Sequence, residues 1–405
     1  LSVLQQAELL RVKANSKLNP KVKSTLGQFF TPHPISLYMA SLFHKIKGEV
    51  SLLDPGCGSG SLTAAFVDES LRRKKISSIN IHAFDLDPVI QPFIDETLSL
   101  CIEKCKKHDV SINANFILDD FIFNKTKNLG LFARQESSYS HVIINPPYKK
   151  IASTSNHRKA LGKVGISTVN LYTGFVALAL RHLKEGGELV AIIPRSFCNG
   201  LYYQPFREFI LHETAIKHIH IFDSRSQAFA DNDVLQENII IHLIKGVKQQ
   251  EVTITSSPAA DFEIDESTQS ITATDQTTRT VPFTAIVKSN DKGGFIHIAA
   301  NERDQAVIER LSFFYSTLSD IGLEVSTGAV VDFRLKADLR PDIETGAVPL
   351  IYPTHLNGGV NWPKNSKKPN AISISNKSRS WLWENLGDFV IAKRFTSKEE
   401  KRRIV

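Results

Sequence analysis

The sequence predicts an α/β fold, a doubly wound, Rossmann-like and mostly parallel sheet followed by a C-terminal α+β domain. Three observations predict it. From Ser51 to about Lys245, short apolar or β-branched runs alternate with segments of helical spacing. A glycine-rich turn, Asp54-Pro55-Gly56-Cys57-Gly58-Ser59-Gly60, directly follows the first of these runs. After Lys245 the alternation gives way to short apolar pairs among Thr, Ser, Gln and Asp.

Taken in order, strands are expected at 51–54, 79–85, 113–118, 141–145, 188–194, 216–221 and 238–244. Helical spacing occupies 35–43, 62–74, 89–107 and 171–183. In the last of these, Leu171, Phe175, Leu178, Ala179 and His182 share a face, and Lys184-Glu185-Gly186-Gly187 reads as a glycine stop. Residues 248–290 read as strands and turns, 301–314 as a helix, and Trp362, Trp381 and Trp383 all fall in the last part among Lys and Arg. Two domains are therefore expected, 1–247 and 248–405, the second incomplete at its C terminus. The chain begins at Leu1 and ends Arg402-Arg403-Ile404-Val405, as expected of a piece of a longer protein.

With 405 residues, 42% of them hydrophobic, the chain can build two cores. A formal charge of +7 fits a polyanionic partner without requiring one. Cys57, Cys101, Cys105 and Cys198 form no CxxC, which argues for a reducing compartment and against a disulfide framework or structural zinc. No HExxH-like spacing occurs among the His residues, so no metal is expected. Apolar runs fall short of the ~20 residues a bilayer span needs, and a cytoplasmic protein is expected.

Ligands of doubly wound sheets bind at the carboxyl ends of the strands, where Asp54, Asp85, Asp119, Asp120 and Asn145 fall. The spacing of Gly56, Gly58 and Gly60 brings the third glycine one residue early for the dinucleotide fingerprint GxGxxG. Such a turn still lets a ligand approach the backbone. Asp85, in Phe84-Asp85-Leu86-Asp87-Pro88, can take both hydroxyls of a ribose, with Asp87 as the competing acid or a helix N-cap before Pro88. Asp120 and Phe121 can bind an adenine amine and cover its ring, and Asp119 is the alternative acceptor. Upstream, Thr31-Pro32 at a helix start can bind a small carboxylate.

The tetrapeptide Asn145-Pro146-Pro147-Tyr148 ends the apolar run His141-Val142-Ile143-Ile144. The Asn145 side-chain oxygen and the Pro146 carbonyl can both accept from one NH₂ group, and Tyr148 offers a flat wall for a base. Together with the glycine-rich turn, this reads as a methyl-donor pocket beside a nitrogen-acceptor pocket. Lys149, Lys150, His157, Arg158, Lys159 and Lys163 follow in a segment suited to phosphate contact. Arg334, Lys364, Lys367, Lys368, Lys393 and Arg394 are further candidate contacts to a polyanion.

In the order GQFFTP, DPGCGSG, FDLDP, LDDF and NPPY, the chain resembles the gamma-class adenine-N6 DNA methyltransferases of restriction–modification systems, of the TaqI-like type. Val348-Pro349-Leu350-Ile351-Tyr352, Asn361-Trp362-Pro363 and Lys393-Arg394-Phe395-Thr396 look similar to target-recognition domains of the PstI/BsuBI-like members. The resemblance implies a methyltransferase sheet over 1–247 and a DNA target-recognition domain over 248–405. It implies S-adenosylmethionine as donor, with Thr31 near its methionine carboxylate and Asp54, Pro55, Gly56 and Gly58 along its methionine part. Asp85 would meet the ribose, Asp120 and Phe121 the adenine, and Asn145 and Pro147 would border the same ligand. It further implies double-stranded DNA and a cognate restriction endonuclease as partners. A monomer is expected, since asymmetric methylation needs only one pocket and one reading domain. One departure is the segment Gln236–Leu243, which supplies no aromatic residue to stack a flipped base from the second side. The rival readings are an RNA adenine or a protein glutamine methyltransferase, and a DNA-specificity subunit without catalysis. An intact Asn145, Tyr148, Asp54 and Gly56 argue against the last.

Overall fold

The structure is a computed structural model that describes residues 2–18, 27, 29–127, 139–223, 237–265, 267–289, 291–299, 301–311, 313–316, 318–356, 359–383 and 388–392. The chain divides into two compact units, Leu1–Glu309 and Arg310–Val405.

The first unit is built on one nine-stranded sheet. Its strands are β1 (Gly48–Pro55), β2 (Ile76–Asp85), β3 (Ser111–Leu118), β4 (Tyr139–Ile144), β5 (Leu183–Pro194), β6 (Thr214–Phe222), β7 (Asn238–Lys245), β8 (Val252–Ser257) and β11 (Thr277–Val281), while β9 (Glu263–Ile264) and β10 (Ile271–Thr272) pair with each other alone. The order is β11-β8-β6-β7-β5-β4-β1-β2-β3. Strands β3, β2, β1, β4 and β5 are parallel, and β7 runs antiparallel between β5 and β6. All seven strands expected from the sequence are present.

Successive side chains of a strand point to opposite faces, and each face of this sheet has its own core. Leu53, Val142, Ile144, Ala191 and Ile241 enter one core, while Leu52, Ile143, Val190, Ile192 and Ile240 enter the other. The second core is covered by α1 (Val3–Lys17), α2 (His33–Ser41) and α3 (Ser61–Arg72). The first is covered by α5 (Phe121–Thr126), α6 (Asn156–Lys163), α7 (Leu171–His182) and α8 (Gln204–Glu213), whereas α4 (Gln91–Lys107) packs on α1, α3 and β3 and adds Cys101 and Cys105 to the second core. Burial on both faces explains why β4 and β7 read as continuous apolar runs. Helix α1 was missed, although Ser2 and Gln5 form a capping box that the sequence displays.

Two expectations need correction. Helix α7 does not end in a glycine stop: Leu183 closes it in an extended conformation, its N–H returning to Leu180 O, and β5 begins at once. The Leu183 side chain is fully buried and the residue pairs with Tyr139, whereas Glu188 pairs with His141. The extra residues between bulge from the strand, and Gly186, at φ +72°, makes that bulge. Second, the expected division after residue 247 falls inside the first unit. Strand β8 pairs in parallel with β6, β11 pairs with β8, and Phe262 stacks on Tyr38 of α2 at 4.0 Å. Short alternating apolar pairs therefore extend the main sheet instead of opening a new domain.

The second unit carries a three-stranded antiparallel sheet of β12 (Leu339–Arg340), β14 (Ala371–Ser373) and β13 (Ala347–Pro349) over Leu335, Leu350 and Ile372. The Trp362 indole N–H donates to Asn370 O at 2.7 Å. Among the described residues no helix is long and apolar enough to cross a membrane.

Candidate active site

The chain leaves β1 on one side to build β2 and β3, then returns to the other side for β4. This reversal opens a crevice at the carboxyl ends of β1 and β4, where such sheets bind ligands. A cleft of about 850 Å³, counting the open solvent at its mouth, lies there. Of the residues singled out by sequence, Gly56, Gly58, Asp85, Asp119, Asp120, Phe121, Asn145, Pro147, Lys149 and His157 line it.

The glycine-rich turn has Gly56, Gly58 and Gly60 at φ of +80°, +53° and +88°. At Gly58 a Cβ would meet the Phe30 ring at 2.6 Å, and at Gly60 one would meet Ile94 of α4 at 2.6 Å. The first glycine thus lets the Phe30 ring close one wall of the cleft, and the second seats the start of α3 against α4. The Gly58 N–H donates to Asp85 Oδ2 at 3.0 Å, and the Asp87 N–H donates to Oδ1 at 3.0 Å. Burial raises the Asp85 pKa, and these backbone donors counter it. Asp87 caps the turn before α4 by accepting from the Val89 N–H, as its alternative reading anticipated.

Asp54 is fully buried behind the turn. Its Oδ2 accepts from the Thr63 hydroxyl at 2.7 Å, and Oδ1 has no hydrogen-bond partner among the described residues. Burial pushes its carboxyl up to about 7, against the Thr63 hydrogen bond and with the Asp85 charge adding to the rise. Pro55 ends β1 beside it and is buried.

Asp120 caps α5 through the Phe123 N–H at 2.9 Å, and its Oδ2 lies 2.8 Å from His157 Nε2 of α6. The His157 ring stacks on Phe123 at 4.5 Å. Phe121 packs against Phe84 and Phe175 with centroids 5.5 and 5.2 Å away. Asp119 is turned to Asn124 and Lys127, and the Asn124 hydrogen bond leads in lowering its pKa.

The Asn145-Pro146-Pro147-Tyr148 turn sits at the end of β4. The Asn145 Nδ2 donates to Phe29 O at 2.7 Å and to Thr31 Oγ1 at 3.0 Å. The Tyr148 hydroxyl lies 3.0 Å from both Asn145 Oδ1 and Ile192 O, and burial raises its pKa. The segment before α2 braces this turn: the Tyr148 N–H donates to Gly27 O, and at Gly27, φ +69°, a Cβ would lie 3.1 Å from Tyr148 N. Thr31, Asp54, Pro55, Pro146 and Tyr148 are not lining residues of the cleft but stand behind or beside it. Lys150 is exposed and Arg158 half-buried on the segment that follows.

Sequence reasoning missed the walls. Phe30, Phe84, Leu86, Leu171 and Phe175 also line the cleft. Their signal is that of any core residue, and only position at the strand ends separates them. The segment Asn238–Lys245 is a buried interior strand of the sheet. In the second unit Arg334 is exposed, Lys364 Nζ donates to Thr354 O, and Lys368 pairs with Asp332 at 3.0 Å. Lys393 and Arg394 lie outside the described residues.

Away from the cleft, His44, Glu188 and His242 bring ligand atoms within 4.8 Å of one another, a grouping that spacing in the sequence does not reveal. Glu188, fully buried, accepts from the His44 and Lys45 N–H groups and from His242. Burial alone would raise its pKa, but His242 and the His44 N–H hold it down at about 2. These donors satisfy the carboxylate from the protein itself.

The strand order, the reversed β7 and the cleft at the switch point define a Rossmann-like methyltransferase domain. A modification subunit assigned to a type I restriction enzyme from Vibrio vulnificus YJ016 shares this fold, with a TM-score of 0.50 and 14% identity over 77% of this chain and 67% of that one. Residues 37–229 match the family described as Eco57I restriction-modification methylase. The chain is 44% identical to the Type II methyltransferase M.BsuBI of Bacillus subtilis, over 100% of this chain and 77% of that protein. It is 42% identical to the Type II methyltransferase M.PstI of Providencia stuartii, over 98% of this chain and 76% of that protein. The chain belongs to the Type II methyltransferases of restriction–modification systems.

Proposed function

We propose that the protein transfers a methyl group from S-adenosylmethionine to the N6 amine of adenine within a specific double-stranded DNA sequence, protecting DNA from a cognate endonuclease. The observation that carries this reading is the orientation of Asn145. Its NH₂ is tied to Phe29 O and Thr31 Oγ1, so Oδ1 is left as the acceptor beside the cleft.

The residues present fit the donor. Asp54 Oδ1, buried and without a hydrogen-bond partner among the described residues, is a polar atom left for a ligand, and Gly58 keeps its backbone free of a Cβ at the cleft wall. Asp85 would take the ribose, Asp120 the adenine amine and Phe121 the adenine face, while Gly56, Pro55, Asn145 and Pro147 would border the remainder. S-adenosylmethionine supplies an electrophilic methyl group on a sulfonium.

An adenine amine is a weak nucleophile because its lone pair is delocalised into the ring. Asn145 Oδ1 and the Pro146 carbonyl would accept its two hydrogens and favour the tetrahedral, positively charged nitrogen that forms as the methyl–sulfur bond breaks, and one of those protons would then pass to water. The base must leave the duplex to reach them, at a cost of a few kcal/mol. Tyr148 is assigned the stacking platform, worth ~1–3 kcal/mol. Lys149, Lys150 and Arg158 are assigned to phosphates near the flipped base, and Arg334, Lys393 and Arg394 to DNA contacts of a target-recognition region. The protein is read as a cytoplasmic monomer.

The test is transfer of tritiated methyl from S-adenosylmethionine to unmethylated bacterial DNA, followed by nucleoside analysis. Label is expected in N6-methyladenine, with a loss on the order of 10²-fold or more in Asn145→Ala, by comparison with removal of one charge-stabilising group elsewhere. Label confined to RNA or to protein glutamine would replace the reading.

A further inference from the structure

An asparagine amide has two ends of nearly equal shape and opposite hydrogen-bonding character, and only its partners decide which end faces a substrate. For Asn145 the decision matters: an NH₂ turned toward a target amine would set donor against donor. The Phe29 carbonyl, 2.7 Å from Nδ2, carries lone pairs alone and therefore requires the NH₂ end. Thr31 Oγ1, buried and 3.0 Å from the same nitrogen, is the second acceptor. At the opposite end stands a donor, the Tyr148 hydroxyl, 3.0 Å from Oδ1 and 3.0 Å from Ile192 O. One proton serves one of those two oxygens at a time. It can turn to Ile192 O and leave Asn145 Oδ1 to an arriving amine.

We propose that Thr31 is a positioning residue for Asn145: its hydroxyl oxygen and the Phe29 carbonyl hold the amide so that Oδ1, and not the NH₂, faces the target amine. The proposal rests on the reading of Asn145 as the acceptor for the methylated nitrogen. It is distinct from the expectation that Thr31 serves the methionine carboxylate: toward Asn145 the hydroxyl oxygen accepts, whereas a carboxylate would take its proton. A clamp on the acceptor acts on the transfer step, whereas a contact to the donor acts on donor affinity.

Thr31→Val keeps the side-chain shape and removes the oxygen, and Thr31→Ser keeps the oxygen. Three measurements separate the roles. Hydrogen exchange of the Asn145 side-chain amide, followed by NMR in the protein without DNA, is expected to accelerate several-fold in Thr31→Val and to remain slow in Thr31→Ser. Calorimetric affinity for S-adenosylmethionine is expected to stay within about twofold in both. The kcat for DNA methylation is expected to fall about fivefold to tenfold in Thr31→Val, as for one hydrogen bond, and to recover in Thr31→Ser. Unchanged amide exchange in Thr31→Val would overturn the proposal, as would a loss confined to donor affinity with kcat intact. If the wild type methylates something other than an adenine amine, the functional reading falls by itself, and the exchange measurement still decides the clamp.

Discussion

Asp54 shows how burial governs the chemistry of one side chain. Its pKa in the folded protein, about 7, lies above the ordinary value of 3.8. The folded state therefore binds the extra proton between those values, and this group's contribution to stability falls as pH rises through that window. At 1.36 kcal/mol per pH unit the full effect is on the order of 4 kcal/mol at most. Asp54→Asn retains an acceptor for Thr63 and removes the titration. Urea midpoints should show the variant gaining on the wild type between pH 5 and pH 8, and an equal difference at the two pH values would refute the assignment. Gly58 is constrained by space as well as by its φ of +53°, since a Cβ meets Phe30 at 2.6 Å. Gly58→Ala should lower the melting temperature by several degrees, consistent with a cost of about 1–3 kcal/mol for the strained backbone. It should also weaken S-adenosylmethionine binding in calorimetry, because the displaced ring is a wall of the cleft.

Among elements, the short helix α6 links the two halves of the site. It follows the acceptor turn in sequence, yet its His157 reaches Asp120 at the start of α5, and both residues line the cleft. The pair is only partly shielded from water, so its removal should cost about 1 kcal/mol or less. His157→Ala is expected to raise amide exchange across Asn156–Lys163 while α7 and β4 remain protected. Uniform exchange across all three would show that the pair does not hold α6 locally. The strand elements were legible because buried β-branched runs have few alternatives. Helix α6 was not, since most of its residues are polar and basic and only Leu161 is fully buried. The glycines after α7 misled for a related reason: a left-handed glycine reads alike at a helix end and in a strand bulge, and only pairing with β4 distinguishes them.

At the scale of the whole molecule, the first unit ends near Glu309 and not near residue 247. A chain cut after residue 247 would lose β8, expose the long edge of β6 and remove Phe262 from Tyr38. It should aggregate on expression, whereas a chain of residues 1–309 should stay folded and bind S-adenosylmethionine by calorimetry. Equal solubility of the two would show that β8 and β11 add nothing to the core. For the intact protein, Lys149→Ala should weaken DNA binding alike on specific and nonspecific duplexes and reduce the slope of log affinity against log salt by about 1. A loss restricted to one sequence would make Lys149 a reader of bases.

The sequence by itself determined the fold class, the seven strands of the expected sheet and the residues at their carboxyl ends. Periodicity, the glycine-rich turn and Asn145-Pro146-Pro147-Tyr148 are local signals, written within a few residues of where they act. Tertiary structure alone decided which end of the Asn145 amide faces outward, through Phe29 and Thr31 more than a hundred positions away. It also decided that β8 and β11 belong to the main sheet, and that Phe30 and Phe175 wall the cleft. Each of these depends on contact between residues distant in the chain, and composition and spacing carry no record of which distant partners meet.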